Sequence, residues 1–144
     1  MAANVNPIFQ RLGDVSTNGT TGMSQIITLA ANDYTGAGAN NVLVFTADAT
    51  NGSWIERLRI KPTGTNVASV LRIFLNNGAT NGTATNNAFH AEISLPACTI
   101  SATSALYELD YPMGFALNPG YKIYVGLGTA QAAGVVVTAV GGPY

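Results

Sequence analysis

Few side chains in this chain are equipped for chemistry. There is one histidine, His90, and one cysteine, Cys98. Three carboxylates, Glu92, Glu108 and Asp110, fall on two consecutive alternating segments. A thiol beside an imidazole would make a nucleophile and base. Two carboxylates across a cleft would divide acid and base work on a glycosidic bond. Neither reading gains support from its surroundings. Cys98 follows Leu95-Pro96-Ala97 at the end of a segment, with no neighbouring cation to favour its thiolate, and reads as a small packing residue. His90 lies on the polar side of its segment and reads as a cross-strand polar partner. One histidine and one cysteine do not complete a zinc site. The carboxylates read as cross-strand partners for basic groups. No glycine-rich phosphate loop precedes a helix. The triplets beginning at Asn18, Asn51 and Asn81 match glycan acceptors but read as turns. The expectation is a protein with no catalytic residue, metal or cofactor, and not an enzyme.

The elements carrying these residues have a period of two. Trp54, Glu56, Leu58 and Ile60 alternate with Ile55, Arg57, Arg59 and Lys61; Phe89, Ala91, Ile93 and Leu95 alternate with His90, Glu92 and Ser94. Tyr107, Leu109 and Tyr111 oppose Leu106, Glu108 and Asp110, and Ile123, Val125 and Leu127 oppose Lys122, Tyr124 and Gly126. Half-buried strands give this pattern. The β-branched runs at 41–47 and 134–140 suit deeper strands. With 24–30 and 68–75 they bring the number to about eight. Asn-Gly and Asn-Pro-Gly signals separate them, and no helix of ordinary length is predicted. Short strands at this spacing predict an all-β fold, an antiparallel β-sandwich of about eight strands, as a jelly roll or an immunoglobulin-like Greek key. Residues 1–22 have no sustained period and hold one apolar knot, Pro7-Ile8-Phe9. They read as an extended N-terminal arm ordered by a partner, or as an ordinary first strand. The sandwich domain then covers 23–144.

At 144 residues the chain is one domain. Only 9% of residues are charged, the net charge is −1 and 47% are hydrophobic, against about 25% charged in an average domain. A near-neutral surface has little self-repulsion and favours association. Nucleic acid is not an expected partner, because phosphate binding requires a basic face. No apolar run approaches the roughly 18 residues of a spanning helix, so no membrane partner is expected. The opening lacks a basic stretch followed by an apolar one, so the expectation is synthesis in the cytoplasm.

Against that low charge, four of the six basic residues, Arg57, Arg59, Lys61 and Arg72, crowd into the stretch from Trp54 to Phe74. Sequential strands usually pair, so a hairpin is predicted here, with Arg57, Arg59 and Arg72 forming a basic patch. The acidic stripe of Glu92, Glu108 and Asp110 would complement it. The two stripes could meet within one sheet or between neighbouring copies. The second arrangement is preferred, because Ile55 and Phe74 would otherwise stand exposed on the same face.

The stretches "NPIFQRLGD", "WIERLRIKPTGTNVASVLRIFLNNG" and "VVVTAVGGPY" resemble the small β-sandwich decoration, or cement, proteins of tailed-bacteriophage capsids. The resemblance implies a structural virion protein, made in the host cytoplasm, that binds the outer capsid surface as a homotrimer and stabilises contacts between capsomers. It implies the major capsid protein as partner and carries no catalytic residue with it. The expected interface comprises Pro7, Ile8, Phe9, Trp54, Ile55, Arg57, Arg59, Arg72, Phe74, Glu92, Glu108 and Asp110. The alternative is a head- or tail-fibre module that touches a host glycan through Tyr34, Tyr124 or Tyr144.

Overall fold

Alternating and β-branched segments fold as the strands they predict. In the computed structural model, which describes residues 11–12 and 24–143, the order is β1 (Arg11–Leu12), β2 (Ser24–Ile27), β3 (Val42–Thr46), β4 (Ser53–Pro62), β5 (Ser69–Asn76), β6 (Asn87–Leu95), β7 (Leu109–Leu117), β8 (Lys122–Leu127) and β9 (Val135–Pro143). The eight predicted strands correspond to β2 through β9, although β7 starts at Leu109 and runs on to Leu117, beyond the predicted alternating segment 106–111. One 3₁₀ turn, Ala84–Asn86, interrupts the polar β5–β6 connection.

Among the described residues all strand pairs are antiparallel, and one isolated parallel bridge joins Ala30 to Leu127. One sheet has the order β1-β9-β4-β7 with β2 also on β9, and the other has the order β3-β8-β5-β6. The pairs β5–β6, β4–β7, β3–β8 and β2–β9 are nested, so the chain behaves as one long hairpin folded over on itself. This is the jelly roll and not the immunoglobulin order. Ile55, Leu58, Ile60, Val135 and Val137 from the first sheet meet Val44, Leu71, Ile73, Ile123 and Val125 from the second in a single core. β1 and β2 both lie on β9: Leu12 faces Val140 and Ser24 faces Thr138. They are two pieces of one edge strand, so part of the predicted arm supplies sheet pairing. Pro7, Ile8 and Phe9 lie outside the described residues.

Two expectations are corrected here. Strands β4 and β5 do not pair, because the chain crosses between sheets at their connection. Arg57 and Arg59 therefore stand on the outer face of one sheet and Arg72 on the outer face of the other. Second, the alternation of β4 breaks at a bulge. Ile55 faces Gly141 and Arg57 faces Val140, leaving Glu56 as the extra residue. Ile55 thus joins Leu58 and Ile60 inside, fully buried, while Trp54 moves to the outer face with the arginines. Gly141 is required at this crowding, because a Cβ there would overlap the Trp54 carbonyl. A similar shift in β6 makes His90 the extra residue and turns Phe89 outward beside Phe74.

Candidate interaction surfaces

On the outer face of the first sheet, register sets a charge ladder. Arg59 lies directly opposite Asp110 in the β4–β7 pairing. Its Nε and Nη2 donate to the two carboxylate oxygens at 3.1 and 3.3 Å, the forked geometry favoured by guanidinium and carboxylate. Glu108 lies 3.4 Å from Arg59 and 3.8 Å from Lys61, and Arg57 reaches Glu56 at 2.6 Å and Asp110 at 3.7 Å. The hydrogen bonds from Arg59 and its charge hold the Asp110 carboxyl below the usual range. These bonds tie Asp110 on β7 to Arg59 on β4. The acidic partners expected from a neighbouring copy are supplied by the same chain.

The outer face of the second sheet is covered by the β2–β3 segment, residues 28–41. Asp33 organises this flap: one carboxylate oxygen accepts from the backbone N–H groups of Thr35 and Gly36 and from the Thr35 hydroxyl, and the other from the Gly38 N–H and Asn41 Nδ2. Burial alone would raise the Asp33 pKa, but the bonds from Asn41, Thr35 and Gly36 outweigh it and hold the carboxyl below its ordinary value. Gly36 has φ +74° and comes so close to Phe74 that a Cβ would crowd its ring. Gly126 makes room beneath: a Cβ there would overlap Asn41 Oδ1.

Under the flap lie Phe74 and Arg72. Phe74 is fully buried, against Phe89 at 5.7 Å, rather than exposed as expected. Arg72 sits with its guanidinium 4.1 Å from the centre of the Tyr34 ring. Its Nε donates to Glu92 at 3.0 Å and its Nη2 to the Tyr34 hydroxyl at 3.1 Å. The Arg72 side chain is 9% exposed and that of Glu92 35%. Glu92 therefore neutralises a buried cation within its own chain.

The two ends of the sandwich differ in chemistry. At one end the connections β2–β3, β4–β5, β6–β7 and β8–β9 are stitched together: Gln131 N–H donates to Thr28, Thr63 N–H to Gly134, and Asn66 and Cys98 exchange backbone bonds. Residues 28–32, 63–68, 96–107 and 128–134 hold no charged side chain. Six large apolar side chains are exposed among the described residues, and four of them gather here: Ile26 (41%), Leu29 (59%), Val67 (56%) and Ile100 (65%). The opposite end is built of asparagine and glycine, from the β3–β4, β5–β6 and β7–β8 connections, and holds an open cavity of about 400 Å³.

Cys98 and His90 do not form a pair. The Cys98 thiol donates to the Gly64 carbonyl at 3.2 Å at the apolar end, whereas His90 packs edge-on against Phe115 at 5.4 Å and Tyr111 at 6.2 Å. Tyr34 belongs to the flap, Tyr124 is half-buried opposite Phe74, and Tyr144 lies outside the described residues. Among the described residues no group of three His, Cys, Asp or Glu side chains is placed to hold a metal ion, and no helix is long and apolar enough to cross a membrane. The flap and the apolar end were missed in sequence. Their signal was the uncharged runs 63–68, 96–107 and 128–134, which come together only once strand order is known. No protein-family model, curated protein or solved structure matches this chain.

Proposed function

We propose that this chain is a structural virion protein that binds the outer surface of a phage capsid and stabilises contacts between capsomers. The observation that carries this reading is the uncharged apolar end with Ile26, Leu29, Val67 and Ile100 exposed. Exposed large apolar side chains concentrated at one end mark a candidate docking site, and the ion pairs on both sheet faces leave that end as the surface with most to gain from burial. The resemblance to decoration proteins supplies the partner, the major capsid protein, and the trimeric arrangement at repeated shell sites. Such sites multiply modest contacts through avidity. Co-sedimentation with purified particles tests the reading. Leu29→Asp and Ile100→Asp should abolish attachment while shifting folding stability by no more than about 0.5 kcal/mol, as for exposed positions generally. Full attachment by both variants would overturn it.

A further inference from the structure

The cavity at the asparagine-rich end lies between the last residues of β5 and β7 and the start of β6. Its apolar side is formed by Leu75, Phe115 and Tyr121, and its rim by Thr85, Asn86 and Asn118. No charged side chain lines it, which disfavours phosphates, carboxylates and cationic ligands. The asparagine amides around it are fixed in place. Asn86 donates through Nδ2 to the Thr80 carbonyl at 2.9 Å and accepts from Asn77 at 3.3 Å. Next to it, Asn76 donates to Asn87 at 2.8 Å. An amide carries two N–H donors and two acceptor lone pairs, so the Asn86 amide, held by one bond at each atom, retains one donor and one acceptor. Paired donors and acceptors beside half-buried aromatic rings match the hydroxyls and the C–H face of a sugar ring. The volume, about 400 Å³, lies in the range of small-ligand sites.

We infer that this cavity binds a neutral saccharide, held by the rim amides and hydroxyl and packed on Phe115 and Tyr121. The site faces away from the apolar end, so sugar binding and particle attachment use separate surfaces and fail separately. The test is amide-resolved NMR titration of the full chain with D-glucose, D-galactose, D-mannose and N-acetyl-D-glucosamine, with D-glucuronate as the charged control. At least one neutral sugar should give saturable shifts at Thr85, Asn86, Asn118 and Tyr121. Thr85→Ala and Asn118→Ala should each weaken binding about tenfold, the worth of one well-placed hydrogen bond. Both residues are exposed at the rim, so the variants stay folded. No saturable shift with any of the four, unchanged affinity in both variants, or equal binding of glucuronate would overturn the inference.

Discussion

Arg72 shows most directly how single residues in this chain are constrained. It is a buried cation between the Tyr34 ring and the Glu92 carboxylate, and its Nη1 has no hydrogen-bond partner among the described residues. Removing one member of such a pair costs most when the member left behind is the buried one. Glu92→Ala should therefore lower stability by about 2 kcal/mol, while Arg72→Met, which leaves only the half-exposed Glu92, should cost less. Thermal unfolding of the two variants gives the order, and a larger loss for Arg72→Met would contradict it. Asp33 carries the pH dependence of the same region. Its folded carboxyl releases its proton more readily than an unfolded aspartate. The stability it contributes is thus present above the ordinary aspartate value of about 3.9 and is lost as pH falls through the folded value. The amide signals of Gly36 and Gly38 should broaden or shift in that acid window, and Asp33→Asn should remove the transition. The sequence showed these residues but not their partners. Arg72 and Glu92 could be assigned to outward faces by period two, whereas Tyr34 lies in a connection between predicted strands, where periodicity gives no direction to a side chain.

At the scale of elements, period two found β4, β6, β7 and β8, and apolar, β-branched runs found β2, β3, β5 and β9, with Asn-Gly turn signals between them. What it could not show follows from two physical facts. In a jelly roll the chain changes sheets at most connections, so the rule that sequential strands pair misplaced β4 beside β5 and merged Arg57, Arg59 and Arg72 into one patch. A bulge inverts the phase of everything beyond it, so Ile55 was assigned to the face of Arg57 although the core claims it. The flap depends on a third fact, the absence of a side chain at Gly126. Gly126→Val should lift residues 31–41 from the second sheet while leaving the core closed. Limited proteolysis should then cut within the flap, and resistance equal to that of the unaltered chain would show that Gly126 is not what seats it.

For the whole molecule, the distribution of charge matters more than its amount. Composition alone indicated a protein suited to assembly. The fold adds direction: charges are paired along the two sheet faces, apolar side chains gather at one end, and amides gather at the other. The candidate interface drawn from sequence shrinks accordingly. Ile55 and Phe74 are buried and the charged residues have partners in their own chain, and under the proposed function the exposed apolar residues Leu29, Val67 and Ile100 are the candidates instead. Those three were not legible beforehand, because each stands alone in a connection and only the nested strand order brings the connections together. The central claim, that this chain is a repeated component of a protein shell, is tested most directly by its copy number in purified phage particles, measured by quantitative mass spectrometry against the major shell protein. A ratio near one to one, or a simple fraction of it, is the predicted result. A handful of copies per particle, or none, would contradict it.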